Sequence, residues 1–170
     1  GSLSDQIVVL SEASYASDLI TRRSRTGLVI LVYGCPIQWQ SIKQKTVSLS
    51  SMEAETVALT EVAKKTVWLR RVLAFLGHPP SGSTVCLVDN KSTIAFADTG
   101  RVSELTKHMQ IRNFWLKEAV DAGHIQPVHL PGTHELADVL TKTPDRHYLR
   151  LRRILMGFDA KTDLKQVILR

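Results

Sequence analysis

Three stretches in the first 41 residues carry the short apolar pattern that is typical of β-strands, and they lie at 6–10, 27–33 and 36–41. The first two are continuous apolar runs, which indicates buried strands. The third alternates apolar and polar residues, which indicates that one of its faces is solvated. Because the three strands follow one another with short connections, we expect the chain to open as an antiparallel meander.

A long helix is predicted to follow the meander. Ser50 or Ser51 can cap its start, and Glu53 is placed to act as the acid of a capping box. Gly77 is a suitable residue for the end, and the prolines at 79–80 prevent the helix from continuing. The helix is therefore predicted to run from about residue 51 to residue 76.

Strands and helices alternate in the second half of the chain. Apolar runs predict buried strands at 83–88 and 125–130. Helical periodicity and its boundary residues predict helices at 91–97 and 106–122, and a last helix that starts at 135–141 and continues at 148–158. The resulting order, β-β-β-α-β-α-α-β-α, predicts an α/β domain with one mixed sheet that has helices on its faces.

Length and composition are those of a single compact domain. The chain has 170 residues, of which 44% are hydrophobic and 22% are charged. These values exclude a disordered chain, a collagen and a disulfide scaffold. No apolar run approaches the roughly 18 residues needed to span a bilayer, so no membrane association is expected. Gly1-Ser2 is typical of a cleaved tag, and we expect a leader at 1–5, the domain at 6–158, and a tail or packed extension at 159–170.

The charge balance narrows the choice of partners. The chain has 22 Lys and Arg against 16 Asp and Glu, which gives a net charge of +6. A basic protein favours nucleic acid as a partner, although a cationic protein without such a partner fits equally well. Cys35 and Cys86 are far apart and no secretory leader opens the chain, so both are predicted to be buried thiols in a reducing, intracellular compartment.

Three acids lie beside apolar residues on three separate predicted elements. Glu55 shares the apolar, sheet-facing stripe of the long helix, whereas Glu53 lies on the opposite side. Asp89 ends a buried strand, and Asp138 lies in the first turns of a helix. Each has an ordinary alternative: an ion-paired or capping acid, a helix N-cap, and an acid favoured by the helix dipole. A shared Mg²⁺ or Mn²⁺ ion would explain all three together, because such ions prefer oxygen ligands.

Several blocks of the sequence resemble, in the same order, blocks of copia-type LTR retrotransposon polyproteins. They are RRSRTG (22–27), IQW and KQ (37–39 and 43–44), SSMEAE and WLRRVL (50–55 and 68–73), DNKS (89–92), TKHMQIR (106–112) and LADVLTK (136–142). The resemblance covers roughly residues 10–158. It is to the ribonuclease H domain that follows the reverse transcriptase, and it implies a ribonuclease H-like fold with a five-stranded mixed sheet flanked by helices.

The resemblance also implies an activity and a set of site residues. The family hydrolyses the RNA strand of RNA–DNA hybrids beside the reverse transcriptase domain of the same polyprotein. It uses two Mg²⁺ ions, for which Mn²⁺ can substitute. Glu12, Glu55, Asp89 and Asp138 fall on its four ligand positions. His134 lies in the loop where many ribonucleases H carry a catalytic histidine, and its alternative role is that of a helix-entry residue.

Glu12 departs from the resemblance, since the family has Asp at this position. The extra methylene moves the carboxylate by about 1.5 Å, which matters in a site whose two ions lie about 3.5–4 Å apart. Two predictions therefore stay open: an active nuclease, or a domesticated or decayed module that binds protein or nucleic acid without cleavage. The candidates for phosphate binding, each of which could instead be a solvated surface charge, are Arg22, Arg23, Lys43, Lys45 and Lys107.

Overall fold

The computed structural model describes residues 7–100, 109–130 and 136–141. In chain order these residues form β1 (Ile7–Ser14), β2 (Arg25–Val32), β3 (Cys35–Lys43), α1 (Ser51–Phe75), β4 (Thr84–Val88), α2 (Lys91–Thr99), α3 (Gln110–Asp121), β5 (Ile125–His129) and a 3-10 helix (Leu136–Leu140). The predicted element order is confirmed over this part of the chain. The predicted segments at 1–5 and 159–170, the predicted helix at 148–158, and the candidate residues Lys107 and His134 lie outside it.

The strands form one sheet in the order β3-β2-β1-β4-β5. β1 pairs antiparallel with β2, and β2 with β3, whereas β1 with β4 and β4 with β5 are parallel. The predicted five-stranded mixed sheet is therefore confirmed. β1 is longer than predicted, because its ladder with β2 continues from Ile7↔Val32 as far as Ser14↔Arg25. Backbone pairing does not require apolar side chains, so the ladder carries Glu12 within the strand.

The core lies on both faces of the sheet. One face packs against α1 and α3 in a cluster that includes Val9, Ile30, Leu59, Leu116 and Ile125. The opposite face packs against the 3-10 helix in a cluster that includes Leu10, Val29, Leu87, Ala137 and Val139. Since side chains alternate along a strand, Glu12 shares the second face with Leu10, whereas α1 carries Glu55 over the first.

α1 begins and ends as predicted. The Ser50 hydroxyl accepts the Glu53 N–H at 3.1 Å, and the Glu53 carboxylate accepts the Leu49 N–H at 2.6 Å. Leu76 is the C-cap, and Gly77 follows with a φ of +83°. The Glu53 side chain, which is predicted to lie opposite the apolar stripe of α1, is nevertheless buried.

Two predictions are corrected. The helix predicted at 135–141 is a 3-10 helix of five residues, Leu136–Leu140, a geometry that is common in short connecting pieces. Cys35 is exposed, because it begins the edge strand β3, whereas Cys86 is buried as predicted, and burial raises the pKa of its thiol to about 12. In the part of the chain that the structure describes, no helix is both long and apolar enough to cross a membrane.

Candidate active site

Two of the predicted acids meet where the parallel strands β1 and β4 end their pairing. The two strands pair from Val8↔Val85 to Ser11↔Val88, so Glu12 is the next residue of β1 and Asp89 is the residue that follows β4. Neighbouring strands lie about 4.8 Å apart, which brings these residues side by side. Glu12 is buried and Asp89 is half-buried. The capping role considered for Asp89 belongs to Asn90, whose side chain accepts the Thr93 N–H at 3.0 Å.

Glu55 reaches the same end of the sheet from α1. Its Oε1 accepts the Ala13 N–H at 3.1 Å, just beyond Ser11, where the β1–β4 ladder stops. Its Oε2 is buried and makes no hydrogen bond within the described part of the chain. A buried carboxylate oxygen in this state favours a bound proton or a cation.

Asp138 approaches from the opposite face, on the 3-10 helix. That helix lies against β2 at Gly27, the register partner of Glu12. A Cβ at Gly27 would lie 2.7 Å from the Ala137 carbonyl oxygen, so only glycine permits this close approach. The absence of a side chain at Gly27 therefore allows Asp138 to reach the end of β1.

The electrostatics of Glu55 indicate three other acids in its neighbourhood. The pKa of Glu55 is raised to about 8, first by burial and then by the negative charge of Glu12, with further contributions from Asp89 and Asp138. The Ala13 N–H opposes this rise. Because such effects weaken with distance, Glu12, Asp89 and Asp138 must all lie near Glu55. We call these four residues the acidic cluster.

The donor chemistry of the acidic cluster fits a hard divalent cation. It offers carboxylate oxygens from four separate elements, including the buried Oε2 of Glu55. Over residues 7–100, 109–130 and 136–141, however, no three Asp, Glu, His or Cys side chains form a group that could hold a metal ion as they stand. The carboxylates would therefore have to move closer together to bind one.

His129 is a neighbour of the cluster that the sequence analysis did not single out. It ends β5, where it pairs with Val88, and its Nε2 lies 4.0 Å from the Asp89 Oδ1. His129 could be predicted only from the strand order, because residues at the carboxyl ends of adjacent parallel strands meet at the same end of the sheet.

Among the described residues, the basic candidates Arg22, Arg23, Lys43 and Lys45 lie at the same end of the sheet as the acidic cluster, where β1 ends, β2 begins and β3 ends. Arg22 and Arg23 are exposed in the β1–β2 connection, and Lys45 is exposed after β3. Lys43 is already engaged, since its ammonium pairs with the Asp18 carboxylate and, with hydrogen bonds from Thr21, holds the pKa of Asp18 well below its usual range. Arg22, Arg23 and Lys45 are therefore better placed to contact a polyanion than Lys43, whose charge is already paired with Asp18.

Comparison with known sequences gives several relatives, of which two plant polyproteins are described here, although no protein-family model matches the chain. The chain is 35% identical over 151 residues to the Retrovirus-related Pol polyprotein from transposon TNT 1-94 of Nicotiana tabacum, covering 88% of this chain and 11% of the relative. It is 29% identical over 136 residues to the Retrovirus-related Pol polyprotein from transposon RE2 of Arabidopsis thaliana, covering 80% of this chain and 9% of the relative. The chain thus spans about a tenth of each polyprotein.

Comparison with solved structures concerns the fold. LC11-RNase H1, isolated from compost, matches with a TM-score of 0.61 at 13% identity, over 81% of this chain and 93% of that one. The same protein in complex with an RNA/DNA hybrid matches with a TM-score of 0.59 at 13% identity, over 80% of this chain and 94% of that one. The Prototype Foamy Virus Protease-Reverse Transcriptase matches with a TM-score of 0.54 at 13% identity, over 92% of this chain and 21% of that chain.

Proposed function

Because this chain is homologous to the Pol polyproteins of plant copia-type retrotransposons and has the ribonuclease H-like fold, we propose that it hydrolyses the RNA strand of RNA–DNA hybrids. The observation that carries the proposal is the acidic cluster, in which burial and then the negative charges of three other acids raise the pKa of Glu55. Like charges gathered in this way destabilise a fold unless a cation joins them. Such a cluster is therefore best explained by a catalytic role.

The acidic cluster would hold divalent cations, with Mg²⁺ as the expected ion and Mn²⁺ as a substitute. Bound there, the cations would supply activation of the attacking water and stabilisation of the leaving 3′ oxygen. Glu12 and Asp89 would offer their carboxylates from the ends of two adjacent strands. Glu55 is held by the Ala13 N–H, which leaves its second oxygen for a ligand.

The substrate class and the partner domain are proposed from the relatives. A neighbour with the same fold is known in complex with an RNA/DNA hybrid, and Arg22, Arg23 and Lys45 expose positive charge that suits phosphates. The relatives are Pol polyproteins, and another neighbour is a protease-reverse transcriptase. We therefore expect the domain to act beside a reverse transcriptase domain of the same polyprotein.

A module that binds protein or nucleic acid without cleavage is the second candidate. Two observations favour it. Glu12 stands where the resembling family has Asp, and among the described residues no three side chains already form a metal-binding group. If the chain is such a binding module, it keeps the fold and the basic surface but no longer binds metal productively.

Cleavage of a labelled RNA–DNA hybrid with Mg²⁺ or Mn²⁺ separates the two candidates. We expect scission of the RNA strand by the wild-type chain and a loss of several orders of magnitude in Asp89→Asn, which keeps the size of the side chain but removes its charge. Asp98→Asn, at an exposed position of α2, is the matched control and should cleave normally. Both variants should still bind the hybrid. A wild-type chain that binds the hybrid but is inert with both ions would establish the second candidate.

A further inference from the structure

The buried side chain of Gln44, just after β3, joins three separate segments. Its Nε2 donates to the Thr26 Oγ1 at 3.1 Å and to the Ala54 carbonyl at 2.9 Å, and its Oε1 accepts from the Ser48 hydroxyl at 3.1 Å. Thr26 and Ser48 are themselves buried. One amide thus connects β2, α1 and the β3–α1 connection, and both of its donor hydrogens are used.

These bonds belong to a closed ring of contacts that includes Glu55 of the acidic cluster. Thr26 is the register partner of Ala13 on β1, and the Ala13 N–H donates to Glu55. Glu55 directly follows Ala54, whose carbonyl Gln44 holds. The ring therefore runs from Gln44 through β2 and β1 to Glu55 and returns through α1.

Close to Glu55, the direct packing between α1 and β1 is made by small apolar side chains. Ala13, Ala54 and Ala58 form a buried cluster of their own at this end of the two elements, whereas bulkier side chains such as Val9 and Leu59 pack together in the main core. Apolar contacts of this kind have no preferred direction. The amide of Gln44 supplies directional bonds that oppose sliding of α1 along the sheet.

We propose that Gln44 is a positioning residue that sets the spacing between Glu12 and Glu55. Glu12 directly precedes Ala13, and Glu55 directly follows Ala54, so the ring fixes the backbone at both acids. Gln44 touches neither carboxylate. Its effect on cleavage rests on the proposed function, whereas its effect on the Ala13–Glu55 contact does not.

The contact itself is tested by amide hydrogen exchange in the metal-free protein. Gln44→Met keeps the length of the side chain and removes all three bonds, and Gln44→Glu keeps the shape and the bond from Ser48 but removes the donors. We expect the Ala13 amide to exchange about tenfold faster in both variants, while Val9, in the middle of β1, is unchanged. Thr66→Val is the matched control, since it removes a buried hydrogen bond to Val62 within α1.

Cleavage kinetics test the consequence. A misplacement of about 1 Å costs on the order of 10²-fold in rate, so we expect a fall of that size in kcat for both Gln44 variants. KM for the hybrid should stay within about twofold, because the exposed arginines are untouched. Thr66→Val should cleave like the wild type at temperatures where every variant is folded.

Two results would overturn the proposal. One is an Ala13 amide that exchanges at the wild-type rate in both Gln44 variants, and the other is a loss of cleavage in Thr66→Val equal to theirs. An inert wild-type chain would reject the proposed nuclease function instead, and the exchange measurement would still decide the role of Gln44.

Discussion

Glu12 and Asp89 directly follow the last residue pair of the β1–β4 ladder, so the length of each side chain sets the gap between their carboxylates. Glu12 is buried and cannot swing out to solvent to accommodate its extra methylene. A cation held by the acidic cluster would therefore have to adapt its ligand geometry to Glu12. Mn²⁺ should serve better than Mg²⁺, because Mg²⁺ demands near-ideal octahedral geometry.

Glu12→Asp should raise Mg²⁺-dependent cleavage and bring the Mn²⁺ and Mg²⁺ rates closer together, as measured by kcat with each ion. Glu55→Asp is the control. Because Glu55 must reach the Ala13 N–H as well as the cations, shortening it should lower cleavage with both ions. Efficient wild-type cleavage with Mg²⁺ that drops in Glu12→Asp would show instead that β1 has adapted to the longer acid.

The raised pKa of Glu55 makes the stability of the metal-free protein depend on pH. The pKa rises from 4.5 to about 8 on folding, so between these values the folded chain holds a proton that the unfolded chain releases. The free energy of unfolding should therefore fall as pH rises, by roughly 1.4 kcal/mol per pH unit from this group. Above the folded pKa the loss is complete.

Glu55→Gln should abolish this contribution and stabilise the metal-free protein at pH 8 more than at pH 5. Denaturant unfolding in the presence of a chelator, for both chains across that range, gives the comparison. The difference between the two chains isolates Glu55 from other titrating groups. Parallel pH profiles for the two chains would contradict the assignment of this pKa.

The 3-10 helix is the element most dependent on a single residue of another element. It packs against β2 at Gly27, and a methyl group there would also meet the Thr141 Cγ2 at 2.8 Å and the Leu140 Cβ at 3.1 Å. Two of these three close contacts lie on the helix itself, so the helix would have to move away from the sheet. Asp138 would move with it.

Gly27→Ala should lower the free energy of unfolding by about 1–3 kcal/mol and reduce cleavage even where the protein is fully folded. Ala63→Val is a suitable comparison, since Ala63 is buried on the opposite face, where α1 packs against the sheet. It should cost similar stability without affecting cleavage. Equal cleavage by the two variants at equal stability would show that the contact at Gly27 does not position Asp138.

The acids of the candidate site and three of its basic candidates share one end of the molecule. The acidic cluster and the exposed Arg22, Arg23 and Lys45 lie at the end of the sheet near the start of α1. Arg71 lies roughly 24 Å further along that helix from Glu55. The net charge of +6 attracts a polyanion to the whole molecule, but the position of these basic residues decides which end it meets.

Replacing both Arg22 and Arg23 by alanine should weaken hybrid binding and reduce by about two the slope of log binding constant against log salt concentration. Binding titrations over a range of salt concentrations measure both effects. The matched control replaces Lys65 and Arg71, which removes the same net charge from the body of α1. If the control lowered the slope equally, net charge rather than the end of the sheet would govern binding.

Local pattern was sufficient to predict the elements and most of the candidate site. The boundaries of α1, the position of Glu55 on its sheet-facing stripe and the place of Asp89 at a strand end follow from periodicity and capping, which act over a few residues. Glu12 required the family resemblance, because nothing in the apolar pattern extends β1 that far. His129 required the strand order.

Contacts between distant segments could not be predicted in the same way. Ala13 and Glu55 are 42 residues apart in the chain, and Gln44 and the ion pair of Lys43 with Asp18 likewise join separate segments. Each depends on which surfaces meet after the sheet closes, and that choice is made by packing rather than by local preference. The sequence therefore determined which residues form the helices and strands, and folding determined that four acids on separate elements would share one end of the sheet.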